Sequence, residues 1–142
     1  MDVIRRNTDY AIRLVINLVK DYGKGPKSAR QLADEESVVY GLACKLLQKL
    51  STAWIVKSTM GPKGGFEMAK EPCQISLLEV VGAIQGPVVL NSCLDAGYIC
   101  SRQQNCAVNM ELAKLQKQIE DYLANVKLDS LLNCGSCDCD GK

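Results

Sequence analysis

Three cysteines, Cys93, Cys100 and Cys106, stand in the order C-x6-C-x5-C within a stretch that carries Gly97 and several amides. The stretch has neither alternating apolar residues nor a helical stripe, so it reads as a loop held by something other than a core. Thiolates are soft ligands that select zinc, copper(I) or iron-sulfur clusters. The chain has no histidine, which removes the mixed Cys/His zinc sites. Four-thiolate zinc sites are commonly built from knuckles with about two to four residues between cysteines. Intervals of six and five suit a loop wrapped around a larger cofactor, and an iron-sulfur cluster is the leading candidate. Three unliganded thiols on a loop is the alternative that spacing alone leaves open.

Something must position that loop, and 142 residues suffice for one domain with a full hydrophobic core, or a small domain with an extension. With 47% hydrophobic and 23% charged residues, the composition is that of a globular chain. The apolar segment Ala11 to Val19 is interrupted by Arg13 and Asn17 and preceded by Asp9, so it is neither a signal peptide nor a membrane span. A cytoplasmic location is expected, with no membrane partner. In that reducing compartment eight cysteines point to metal or redox chemistry rather than structural disulfides. Net charge is only +1, but residues 1–70 hold twelve basic against seven acidic side chains, a local +5. Such asymmetry suits a DNA-binding module joined to a dimerisation or sensing module.

Asn7 or Thr8 is a candidate cap for a first helix whose apolar residues Ala11, Leu14, Val15, Leu18 and Val19 repeat at helical spacing up to Gly23 and Gly25-Pro26. Ser28 caps a short second helix, Ala29 to Asp34, and a third runs from about Val38 to Leu50. Short helix, turn and longer helix make a helix-turn-helix. Two β-prone runs between Trp54 and Ala69, joined by a turn rich in glycine and proline, then form a wing in which Gly64 and Gly65 supply positive φ and bare backbone for a phosphate. Ser76 caps a fourth helix that Gly86-Pro87 stops. From Ala107 to about Val126, Val108, Leu112, Leu115, Ile119, Tyr122 and Leu123 make an apolar stripe suited to pairing with a second copy; packing on its own domain is the alternative.

The expected fold is therefore mainly α with a small β hairpin, a winged helix-turn-helix plus a long dimerisation helix. Its parts are a DNA-binding domain at 1–85, a cysteine loop at 86–107, a dimerisation helix and closing turn at 108–132, and a flexible tail at 133–142. That tail contains Cys134, Cys137 and Cys139. Val39, Tyr40, Gly41 and Lys45, at the start of the recognition helix, are the candidates for base contacts. Lys57 and Lys63, with Ser28 and Gly64, are candidates for the phosphate backbone, against the plainer reading of the lysines as solvated charges. Cys44 and Cys73 read as small buried apolar residues, outside any ligand set. No general base or substrate-pocket motif is present, and an enzyme is not expected.

Residues 1 to about 132 resemble the Rrf-type winged-helix regulators, the family that includes IscR, NsrR and RirA. The likeness lies in Thr8 to Arg13, Gln31 to Ala33, Gly61 to Phe66, Ile75 to Val80 and the three-cysteine loop. It implies a homodimeric transcription factor whose cluster state changes which double-stranded DNA it binds, typically a repressor of iron-sulfur assembly or related stress genes. Cys93, Cys100 and Cys106 would be the iron ligands of a cluster, 2Fe-2S favoured and 4Fe-4S open. IscR-like members place a histidine three residues past the third cysteine, where this chain has Asn109. NsrR-like members use a carboxylate near the start of the partner's first helix, which makes Asp9 a candidate fourth ligand. The first cysteine interval is six where the family often has five, and Cys44 and Met60 stand where IscR-like members have glutamate and arginine, so no operator preference carries over. Competing readings are a regulator switched by thiol and disulfide without a cluster, and an iron-sulfur carrier or redox protein.

Overall fold

The computed structural model describes residues 3–132; the expectations for the tail cysteines Cys134, Cys137 and Cys139 lie outside the described residues. Five helices and one hairpin appear in the order α1 (Arg6–Lys20), α2 (Ala29–Glu36), α3 (Tyr40–Thr52), β1 (Val56–Thr59), β2 (Gly65–Met68), α4 (Leu77–Gln85) and α5 (Ala107–Asn125). The fold is a winged helix-turn-helix followed by a long helix. Leu14, Leu32, Leu46, Leu47, Leu50, Ile55, Val56, Ile75 and Val80, one or more from each element through α4 except β2, are buried in a single core around α1. Leu128, in the 3-10 turn Leu128–Leu131 after α5, is fully buried in that same core. Leu77 N–H donates to the Val126 carbonyl at 2.8 Å and Leu128 N–H to the Ile75 carbonyl at 3.0 Å, so the far end of α5 is stitched back beside the start of α4.

Two expected caps hold. The Ser28 hydroxyl accepts from Gln31 N–H, and Ser76 with Glu79 forms a reciprocal capping box at the start of α4. The start of α1 differs from expectation: its N-cap is Arg5, and Thr8, fully buried, donates its hydroxyl to Gln85 Oε1 at 2.7 Å. Because the helix already begins at Arg6, Asn7 and Thr8 lie inside its first turn and neither is the cap. The third helix begins at Tyr40 rather than Val38, because Ser37 adopts the left-handed conformation that ends α2 and Val38 is buried in the turn. Trp54 is likewise no strand residue: it turns at φ 61 and is 71% exposed, and the hairpin starts only at Val56.

The strands pair antiparallel with Lys57 opposite Glu67 and Thr59 opposite Gly65. Lys27 extends this ladder as a bridge to Phe66, exchanging both backbone hydrogen bonds at 2.9 and 2.7 Å. The glycines serve that packing. A Cβ at Gly64 would collide with the Thr59 carbonyl, and one at Gly65, φ +156, with the Lys27 carbonyl. Gly64 itself has no positive φ, so its requirement is close approach within the wing.

Candidate nucleic-acid interface and cysteine loop

The helix-turn-helix presents Val39, 76% exposed, and Tyr40, 45% exposed, at the opening of α3, with Gly41 exposed beside them and Lys45 exposed on the next turn. These four expected base-contact residues share one end of one helix. Arg30, in the first turn of α2, places its guanidinium over the Tyr40 ring at 4.4 Å from the centroid. Tyr40 also meets Cys44, one helical turn on: the neighbouring thiol, first by hydrogen bonding and then by charge, pushes the Tyr40 phenol pKa up. Arg30 was not among the sequence candidates, since nothing in spacing along the chain shows a contact between two helices.

The wing lysines differ from each other. Lys57 pairs with Glu67 across the ladder at 3.5 Å, which offsets its charge, whereas Lys63 is exposed at the tip with no ion pair among the described residues. Ser28 uses its hydroxyl oxygen to cap α2. Beneath the wing, Lys27 is only 14% exposed and bonds Asp21, Glu35 at 3.1 Å and Asn17 Oδ1 at 2.6 Å. Asn17 in turn donates to Glu35 and Glu36, both at 2.8 Å, and Gln31 donates to Glu35 at 3.0 Å. The Lys27 bond, then that of Lys24, lowers the pKa of Asp21. Gln31, Asn17 and Lys27, in that order, lower that of Glu35. For Lys27 burial is the largest single influence and works downward, but the bonds to Asp21 and Glu35 together outweigh it and raise its pKa. This network fixes the wing, α1 and α2 to one another.

The three loop cysteines are half-buried free thiols. Cys106 is the N-cap of α5, and its sulfur accepts from Asn109 N–H at 3.4 Å. The Asn109 side chain reaches the other way and donates to the Cys93 carbonyl at 3.3 Å, while Gln116 accepts from Leu90 N–H at 3.1 Å. Asn109 therefore ties the turn bearing Cys93 to the one bearing Cys106. No group of three His, Cys, Asp or Glu side chains among the described residues is gathered closely enough to hold a metal ion. In donor type the loop fits a thiophilic iron centre; in arrangement it is open, and binding requires the loop to close around its occupant.

Asp9 lies on the first turn of α1, 53% exposed, paired with Arg13 at 3.2 Å. At the end of α4, Gln85 accepts from Arg5 N–H and Thr8 and donates to the Val3 carbonyl. This joins the entry of α1 to the root of the cysteine loop, where Val3 and Arg5 face Ser92 and Asp95 across a cleft of about 590 Å³. Cys44 is half-buried, but Cys73 is exposed, against expectation, because it sits in the short 3-10 turn Pro72–Gln74 outside the core. Local desolvation and then the adjacent Glu71 carboxylate raise the Cys73 pKa, which keeps it a thiol.

Residues 4–134 match the Rrf2 family model, described as an iron-dependent transcriptional regulator. The chain belongs to the Rrf2 family. It is a transcriptional regulator and not an enzyme. It is similar to the transcriptional regulator IscR of Vibrio vulnificus, 24% identical over 124 residues, covering 87% of this chain and 73% of that one. The fold superposes on T. potens IscR with a TM-score of 0.75 at 21% identity, covering 98% of this chain and 92% of that chain. It superposes equally on CymR, the global cysteine regulator of B. subtilis, with a TM-score of 0.75 at 22% identity, covering 94% and 98%. Like other Rrf2 chains, this one couples a winged helix-turn-helix to a long helix. No helix among its described residues is long and apolar enough to cross a membrane.

Proposed function

We propose that this Rrf2 regulator is a homodimeric DNA-binding repressor whose operator binding is set by an iron-sulfur cluster held at Cys93, Cys100 and Cys106. The observation that carries the reading is the cysteine loop itself. It spans the interval between α4 and α5, its last thiol caps α5, and its root is hydrogen-bonded through Gln85 to the entry of α1. A bound cluster would supply a centre whose presence depends on iron and oxidants. Within the chain, Cys106 and Asn109 hold two of the thiol-bearing turns in register, and α1 transmits the state of that end of the fold to the helix-turn-helix it packs against. The 2Fe-2S form is favoured and 4Fe-4S is the other outcome. Asp9 of the partner subunit is proposed as an oxygen donor completing the ligand set.

DNA engagement is assigned to Val39, Tyr40, Gly41 and Lys45 at base edges and to Lys63 at phosphate, with Ser28, Lys57 and Gly64 supporting the wing and the start of α2. Dimerisation is assigned to α5, none of whose nineteen residues is buried within the subunit. Val108, Met110, Leu115 and Tyr122 are between 47% and 72% exposed there, an apolar surface that a second copy would cover. The domain limits are proposed as 1–85, 86–107 and 108–132.

A second reading, favoured by the open arrangement of the thiols, is a regulator switched by disulfide formation without a cluster. Anaerobic purification decides between them. The cluster reading expects coloured protein containing iron and acid-labile sulfide, both lost in the Cys93→Ser, Cys100→Ser and Cys106→Ser variants. Colourless, iron-free protein whose DNA affinity changes on mild oxidation, with a loop disulfide in its peptide map, would establish the second reading instead.

A further inference from the structure

We propose that Arg30, held over the Tyr40 ring, is a specificity-determining residue that recognises a guanine in the major groove; the proposal deepens the DNA-binding reading above and rests on it.

Arg30 and Tyr40 come from different helices of the helix-turn-helix and meet on its exposed side, with the guanidinium 4.4 Å from the ring centroid. The attraction of the cation to the ring is not a hydrogen bond to an acceptor atom, so the guanidinium keeps its fork of N–H donors to bond elsewhere. No carboxylate among the described residues pairs with Arg30, unlike Arg13, Lys27 and Lys57. Ser28 caps the helix two residues earlier, so the base of the side chain is fixed as well as its tip. Tyr40 is the first residue of α3, and the opening residues of a recognition helix are those that meet base edges. The pair therefore carries a preorganised fork to the base-reading end of the helix. Such a fork matches the paired acceptors O6 and N7 of guanine; adenine offers a donor in place of one of them.

Lysine at position 30 separates this role from a phosphate contact, since it keeps the charge and loses the planar fork. Duplexes enriched by the full-length protein from a randomised pool provide the probe, and each enriched position is then varied through all four bases. Guanine at one position per half-site should be preferred by on the order of ten- to a hundredfold, the range of one bidentate contact. Arg30→Lys should abolish that preference while leaving other positions and the salt dependence unchanged. Tyr40→Leu should weaken it, and Tyr40→Phe, which keeps the ring, should retain it. A uniform loss across all positions in Arg30→Ala, with the salt slope reduced by about one unit, would make Arg30 a phosphate contact and overturn the proposal. Unaltered preferences in Arg30→Lys would overturn it too. A wild-type protein that enriches no sequence would instead remove the DNA-reading assignment itself, and the proposal with it.

Discussion

Two halves of this chain are stabilised in opposite ways. Residues 6–85 close on themselves, and α1, α3 and α4 each bury apolar side chains in a common core. Among the side chains described in residues 86–127 only Val88 is buried, and a nineteen-residue helix follows the cysteine loop without a single buried side chain. Only at Leu128 does the chain re-enter the core. The first half is thus held by a common apolar core, whereas the second is held by hydrogen bonds such as Leu90 to Gln116 and Asn109 to Cys93 and keeps much apolar surface exposed. Its exposed surface includes Ile99, 94% exposed beside Cys100, and Tyr122, 72% exposed on α5. A region built this way is suited to respond to what binds it, and a closed core is suited to carry that response to DNA.

Disrupting the exposed stripe of the second half should have the largest effect on function. Leu115→Asp with Ile119→Asp should give a folded monomer. Loss of simultaneous engagement of two half-sites should then lower operator affinity by on the order of 10²–10⁴-fold. Sedimentation of the double variant checks the first point and a binding titration the second; an intact dimer would mean that α5 packs elsewhere. The closed half should answer differently. Leu47→Ala removes a fully buried side chain and should cost about 2–5 kcal/mol in denaturant unfolding, with dimerisation of the remaining folded protein unchanged.

The contrast also explains what was legible in the sequence. Periodic residues such as Leu14, Leu18, Leu46 and Leu50 face the core, and Ser28 and Ser76 cap their helices, because these features are decided by near neighbours along the chain. The departures involve distant partners. Thr8 gave its hydroxyl to Gln85, Gly65 is demanded by Lys27, and Arg30 finds Tyr40 across a turn. Asn109, noticed in the sequence as standing where IscR-like members have a histidine, proves to join Cys93 to Cys106. The three cysteines were legible as thiols of one loop; their open arrangement was not, since spacing limits reach without fixing geometry.

An acid titration probes the polar side of the closed half. Asp21 and Glu35 have lowered pKa values, so their contribution to stability is complete above the ordinary carboxylate range, about pH 4, and is lost as pH falls through the lower folded values. Lys27, raised, contributes fully below its ordinary value and loses that contribution only as pH rises through the folded value, above about 10. Lys27→Met should destabilise by about 1–3 kcal/mol at neutral pH, and the difference from wild type should shrink as pH falls below about 4. A difference constant down to pH 2 would mean that the carboxylates gain nothing from Lys27. On the DNA side the expected effect is smaller. Lys63→Ala at the wing tip should flatten the dependence of log affinity on log salt by about one unit, and an unchanged slope in a folded variant would remove Lys63 from the phosphate contacts.

The smallest change in stability should come from Asp9, and it tests how the two halves meet. Asp9 sits in the first turn of α1, where a negative charge is worth roughly 0.3–1 kcal/mol, and its exposed pair with Arg13 adds no more than about 0.5 kcal/mol. Asp9→Ala should therefore lower the stability of iron-free protein by about 1.5 kcal/mol or less. If the carboxylate also completes the cluster site of the partner subunit, the same substitution should change the absorption of anaerobically isolated protein and shorten the lifetime of its colour in air. Arg13→Ala supplies the control, since it breaks the ion pair and keeps the carboxylate. It should reproduce part of the stability loss and leave the spectrum untouched. Identical spectra and lifetimes in Asp9→Ala and wild type would confine Asp9 to the helix end, and the closed half would then sense the cysteine loop through the bonds of Gln85 to Val3, Arg5 and Thr8 instead.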